Sequence, residues 1–131
     1  MNIKRFVVAL SIISLASFAA DYRLTAKGGV DLNGSFMGGG ELTYMALSEY
    51  LELGLFGEGY GTAGSVFGGI VGRIYVPFLG VFVDAKVGNG LGAGIGFRLN
   101  LPLEVRPFAA IAVPLTGTSS THLGVMLSLP F

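Results

Sequence analysis

Past Asp21 the chain alternates between apolar and polar positions. Tyr22, Leu24, Ala26, Val30 and Leu32 are apolar, while Arg23, Thr25, Lys27 and Asp31 between them are polar. That is the pattern of a strand with two unlike faces. The same alternation recurs with Leu42 and Tyr44 against Glu41 and Thr43, with Leu51, Leu53 and Leu55 against Glu52, and with Val66, Ile70, Ile74 and Val76 against Arg73. It continues with Leu79, Val81, Val83, Ala85 and Val87 against Asp84 and Lys86, and with Leu91, Ala93, Ile95, Phe97 and Leu99 against Arg98. Leu103, Val105, Ala109, Ile111 and Val113 oppose Glu104 and Arg106, and Leu123, Val125, Leu127, Leu129 and Phe131 oppose His122 and Ser128. Eight strands are predicted.

Short connections set the expected registers. Asn33-Gly34-Ser35 pairs Leu32 with Phe36, and Gly88-Asn89-Gly90 pairs Val87 with Leu91, each a tight hairpin with glycine available for a positive φ. Pro77-Phe78 links Val76 to Leu79 and switches the apolar positions from even to odd numbers; Asn100-Leu101-Pro102 pairs Leu99 with Leu103. These registers place Lys27 directly across from Glu41 and Arg98 directly across from Glu104, opposite charges on one face. The longer connections, Gly57 to Ser65 and Pro114 to Thr121, fall at the same end.

The polar face decides which side meets solvent. It carries every basic residue after Asp21, with Asp31, Glu41, Glu52, Asp84 and Glu104, and it is interspersed with Gly39, Gly54, Gly69, Gly80, Gly92, Gly94 and Gly96. A soluble barrel would need many charges there. Few charges, balanced in sign and separated by glycine, suit a cramped interior in which each charge meets a partner. The apolar face then points to lipid. Spanning strands take about 9–11 residues, so eight use about 72–88 of the 111 residues from Asp21 onward. Closure removes the edge that no open sheet can carry through hydrocarbon. Tyr22, Phe36, Tyr44, Tyr50, Tyr75, Phe78, Phe108 and Phe131 lie near predicted strand ends, where interfacial aromatic girdles form. A helical span over Val66–Ala85 is the main competitor, but Arg73, Pro77 and a period of two argue against it.

Composition agrees. Of 131 residues, 52% are hydrophobic and 12% charged, with mean hydropathy +0.71, against about a quarter charged in ordinary soluble domains. A formal net charge of zero offers no field for nucleic acid. The absence of cysteine excludes disulfides and thiolate metal sites, and one histidine argues against a dedicated zinc site. Lys4 and Arg5, the apolar run Phe6–Leu15 and the small residues ending in Ala19-Ala20 have the parts of a secretory signal peptide. Residues 1–20 are thus expected to be removed after Ala20, and residues 21–131 to form the barrel.

The last ten residues, His122-Leu123-Gly124-Val125-Met126-Leu127-Ser128-Leu129-Pro130-Phe131, resemble the C-terminal signal of bacterial outer-membrane barrels, with Gly124, Leu127, Leu129 and terminal Phe131 in the matching places. The whole chain resembles small outer-membrane proteins of the OmpA/OmpX type: all-β, an eight-stranded antiparallel up-and-down transmembrane β-barrel after a cleaved signal peptide. The resemblance implies a Gram-negative outer membrane, recognition by the barrel-assembly machinery, outer-membrane lipids as surroundings, and both ends of the barrel chain in the periplasm. The turns at 46–48, 77–78 and 100–102 would then be periplasmic and the longer connections external.

Little here predicts chemistry. Gly88-Asn89-Gly90-Leu91-Gly92 lacks the lysine-serine pair and following helix of a phosphate loop. His122 and Ser128, six residues apart on one strand, lie about 20 Å apart, beyond hydrogen-bond reach. Glu41, Glu52 and Glu104 face basic residues and read as structural ion pairs. Eight strands leave an interior just wide enough for side chains. Lys27 with Glu41, Arg98 with Glu104 and Arg73 with Asp84 are the expected lumen ion pairs, and Arg23, Glu52, Lys86, Arg106, Phe56, Phe67 and Phe82 complete the plug. The expectation is a monomeric, non-enzymatic protein without cofactor or metal, with a structural or surface-contact role. A narrow pore for ions or small solutes and a lipid-modifying enzyme are the alternatives.

Overall fold

The computed structural model describes residues 2–5, 7–8, 21–47, 50–61, 65–76, 79–100, 104–115 and 119–130. Residues 3–5 and 7–8 are helical; the expected cleavage point after Ala20 lies outside the described residues, as do Phe78 and Phe131. The rest is β-sheet: β1 (Asp21–Asp31), β2 (Phe36–Ala46), β3 (Leu51–Tyr60), β4 (Ser65–Tyr75), β5 (Val81–Gly88), β6 (Gly90–Phe97), β7 (Leu99–Asn100), β8 (Glu104–Pro114) and β9 (Ser120–Pro130). Every pairing is antiparallel, and the ring closes through β1–β9 and β6–β8. β6 and β7 are one stave interrupted at Arg98, whose backbone N–H donates to the Gly80 carbonyl at 2.7 Å in continuation of the β5–β6 register. The barrel therefore has eight staves.

The stagger can be followed residue by residue. Asp21 pairs with Met45, Met45 with Glu52, Glu52 with Arg73, Arg73 with Asp84, Asp84 with Gly94, Gly94 with Ala110, Ala110 with His122, and His122 with Asp31. One circuit from Asp21 thus returns to β1 at Asp31, a stagger of ten residues. With about 3.3 Å per residue and about 4.8 Å between strands, that stagger tilts the staves by about 40° and gives a wall radius of about 8 Å. An eleven-residue stave such as β1 then stands about 25 Å tall.

Three expected registers are corrected, each by two residues. Val30, not Leu32, pairs with Phe36, so Lys27 lies across from Gly39 and Thr25 across from Glu41. The cause is local: Asp31 accepts from the Asn33 amide through its side chain at 2.7 Å and from the Gly34 amide through its carbonyl, and Gly34 adopts φ +87°. Tyr75 pairs with Phe82 and Val76 donates to the Val81 carbonyl, so this connection is longer than Pro77-Phe78 and turns at Gly80, with φ +70°. Leu99 pairs with Val105, so Arg98 is not opposite Glu104; the ladder between β6 and β8 stops at Gly96–Phe108, next to Pro107, which has no N–H. The Val87–Leu91 register is as expected. Gly57–Ser65 is not a loop, because β3 runs through Tyr60 and pairs it with Ser65.

The faces sort as the alternation requires. Among the described strand residues no charged side chain points outward; the outer wall is Leu, Ile, Val, Ala, Gly, Pro107 and a few aromatics, with Thr121 near one rim. Leu55 is 61% and Ile70 62% exposed, both midway along their strands. Tyr22 and Tyr44 stack edge to face on the outer wall at the end where β1 begins, and Tyr50 is exposed nearby. Tyr75 and Phe108 are corrections: both point inward and are buried, because each lies on the inward parity of its strand. No described helix is long and apolar enough to cross a membrane.

Inward glycines on β6 make room for side chains from β4 and β5. A Cβ at Gly92 would lie 2.9 Å from the Phe67 ring, and one at Gly94 2.8 Å from Asp84 Oδ1. Gly94→Leu is expected to push Asp84 off Arg73 and destabilise the barrel by about 1–3 kcal/mol, read as a lowered urea midpoint. Gly57→Ala, where an added Cβ meets nothing, should leave it unchanged.

Candidate functional site

The candidate site is the lumen. Among the described residues its wall projects Arg23, Lys27, Arg73, Lys86, Arg98 and Arg106 against Asp31, Glu41, Glu52, Glu58, Asp84 and Glu104, six charges of each sign. Their spacing follows from the alternation that places each on an inward position.

At the end where β1 begins, Arg23 Nε meets Glu104 Oε2 at 3.2 Å, and Arg106 reaches the same oxygen at 2.8 Å. Arg106 also meets Glu52 Oε1 at 3.0 Å. Glu52 further accepts from the Tyr75 hydroxyl at 2.6 Å and from Thr43. Above this lies Arg73, fully buried and bonded to Glu52 at 2.7 Å, Glu41 at 3.0 Å and Asp84 at 3.1 Å, with its guanidinium 5.1 Å from the Phe82 ring centre. Its planar fork presents five donors in fixed directions and so meets three carboxylates at once. Lys27 carries the column on, at 2.7 Å from Glu41 and 3.2 Å from Glu58. Glu58 also holds Lys86 at 2.8 Å and accepts from Tyr60 at 3.0 Å. Phe56 and Phe67 pack edge to face at 4.7 Å beside them.

At the opposite end His122 is buried inside the wall. Its Nδ1 lies 3.2 Å from Ser120 Oγ, and its Nε2 lies 3.9 Å from Glu58 Oε2 without a hydrogen-bond partner. Ser120 donates its hydroxyl hydrogen to Asp31. With that hydrogen directed to Asp31, Nδ1 faces the Ser120 oxygen rather than its proton. Ser128 is far from this cluster and pairs with Thr25 at 2.8 Å across the β1–β9 seam.

Of the expected pairs, Lys27 with Glu41 and Arg73 with Asp84 are brought into contact. Lys27 reaches Glu41 diagonally, since their Cα atoms are not register partners. Glu104 is instead held by Arg23 and Arg106, while the Arg98 guanidinium lies 4.5 Å from the Tyr75 ring centre. Glu58 and Tyr60 escaped the sequence reading because Gly57 and Gly59 left their outward neighbours without side chains. The signal was present: 52, 54, 56, 58 and 60 continue the inward parity of β3. Of the C-terminal signature, Gly124 pairs with Gly29 at the seam and Leu127 and Leu129 point outward. Among the described residues no cluster of three His, Asp or Glu side chains could hold a metal ion.

Fold and lumen together define a small, closed, eight-stranded antiparallel β-barrel with an ion-paired interior. No protein-family model, curated protein or solved structure matches this chain.

Proposed function

We propose that this is a small outer-membrane β-barrel of the OmpA/OmpX architectural type, exported with a signal peptide cleaved after Ala20 and inserted by the barrel-assembly machinery into a Gram-negative outer membrane. In this reading it is a monomer without enzymatic activity, its lumen plugged, with a structural or surface-contact role in the envelope. The observation that carries the reading is the outer wall: about 25 Å of stave without an outward charge among the described strand residues, the height of the apolar band on membrane barrels. A water-soluble barrel of this size has no use for Leu55 and Ile70 in solvent while every described strand charge turns inward. The outward tyrosines at one rim suit a membrane interface.

Two other readings weigh less. Arg106 and Glu52 meet across the axis with both side chains fully buried, which weighs against a continuous water path. The Ser120–His122 contact offers a hydrolase a residue pair, but with the serine hydroxyl directed to Asp31 its proton is turned from the imidazole that would activate it.

The test is refolding of residues 21–131 into phospholipid vesicles, read by gel mobility before and after boiling. A folded form that floats with the vesicles and migrates differently until boiled is expected; a chain left in the aqueous fraction would defeat the reading. In planar bilayers the folded protein should show no steady conductance, and an open, steady current would replace the plugged lumen with a pore.

A further inference from the structure

The pairing pattern inside the lumen carries a consequence for how the ring shuts. Charges on neighbouring strands could neutralise one another in a lone hairpin, as Arg73 and Asp84 do between β4 and β5. Other pairs skip a strand: Lys86 of β5 reaches Glu58 of β3, and Arg23 of β1 reaches Glu104 of β8. Arg106 of β8 and Glu52 of β3 stand four staves apart whichever way round the ring one counts, and still meet at 3.0 Å. In an open sheet these two would lie on remote strands.

We propose that the cross-lumen pairs form a closure lock: Arg106–Glu52, supported by Arg23–Glu104, makes full pairing of the interior charges conditional on the β1–β9 seam being shut. An open sheet keeps Arg106 with Glu104 and Glu52 with Arg73, but it strips Arg23 of Glu104 and Arg106 of its second carboxylate, a loss that hydrocarbon opposes, whereas the closed ring makes every contact together. The lock rests on the membrane reading only for what surrounds the open sheet.

The chain has no cysteine, so introduced thiols report single seams. Ala26→Cys with Leu127→Cys, outward register partners on β1 and β9, reports closure; Leu42→Cys with Leu55→Cys reports the β2–β3 hairpin. Each pair is crosslinked with a short bis-methanethiosulfonate spanning about 5 Å, each cysteine thiolate displacing a sulfinate, after dilution from urea into phosphatidylcholine vesicles. Without further change both reporters should crosslink. Adding Arg106→Met, which leaves one net negative charge inside, should lower seam crosslinking about tenfold and spare the hairpin. Adding Glu52→Met as well restores neutrality and should bring seam crosslinking back to within about twofold, since removing both partners of a buried pair costs far less than removing one. Unchanged seam crosslinking in Arg106→Met, equal loss at both reporters, or a double variant no better than the single one would each overturn the lock. The membrane reading fails separately, through crosslinked protein recovered in the aqueous fraction, and the two reporters are read the same way there.

Discussion

Replacing Arg73 with Met is expected to destabilise the barrel by about 3–5 kcal/mol, the cost of breaking a buried charge cluster by removing one partner. Arg73 is fully buried and touches carboxylates on β2, β3 and β5. Without it, Glu41 retains Lys27 and Glu52 retains Arg106, but Asp84 loses the guanidinium that it meets at 3.1 Å. Arg73→Lys should recover only part of the loss, because a point charge on a flexible stem cannot serve three acceptors in the geometry of a fork. Urea titration in vesicles, followed by gel mobility, checks both variants. A midpoint unchanged in Arg73→Met would show that the column is not held by this cation.

The second large effect lies on the outer wall. Leu55→Arg places a charge midway up β3, where the reading puts the bilayer midplane, and is expected to cost about 2–4 kcal/mol in vesicles. Thr121→Arg, near the rim, should cost about 0–1 kcal/mol. In a barrel surrounded by water both substitutions are surface changes worth at most about 0.5 kcal/mol, so the depth dependence, more than either value, separates the two environments. Equal and small effects at both positions would remove lipid from the account.

Much of the fold was legible because the inward and outward sets are so unlike. The alternation placed Arg23, Lys27, Arg73, Lys86 and Arg106 on one face, and the structure buries all of them. The register errors are instructive: at the β1–β2, β4–β5 and β7–β8 connections the pairing slid by two residues, never by one. A slip of one would turn every leucine inward and every charge outward, which burial forbids; a slip of two costs only local turn energy. That energy depended on details no pattern shows, such as the Asp31 side chain capping the Asn33 amide. Tyr75 and Phe108 were misplaced because position near a strand end was weighed above parity, and parity governs which way a side chain points.

The lumen was legible as a set but not as a network. Which cation meets which carboxylate depends on the stagger of ten residues around the ring, since that sets which strands share a level. Lys27 and Glu41 therefore meet on a diagonal, and Glu104 turns from Arg98 to Arg23 and Arg106. His122 lies on the inward face as its parity on β9 requires, and the stagger brings it to Ser120 and toward Glu58.

The chain has no tryptophan, which gives the central claim a direct test. Tryptophan is placed singly at Leu53, Leu55, Phe56 and Glu58 of β3, and its fluorescence is followed in vesicles whose acyl chains carry bromine. Strong quenching at Leu53 and Leu55 with little at Phe56 and Glu58 is the predicted result. Quenching that ignores this alternation, or falls on the even positions, would contradict an apolar wall wrapped around a charged core.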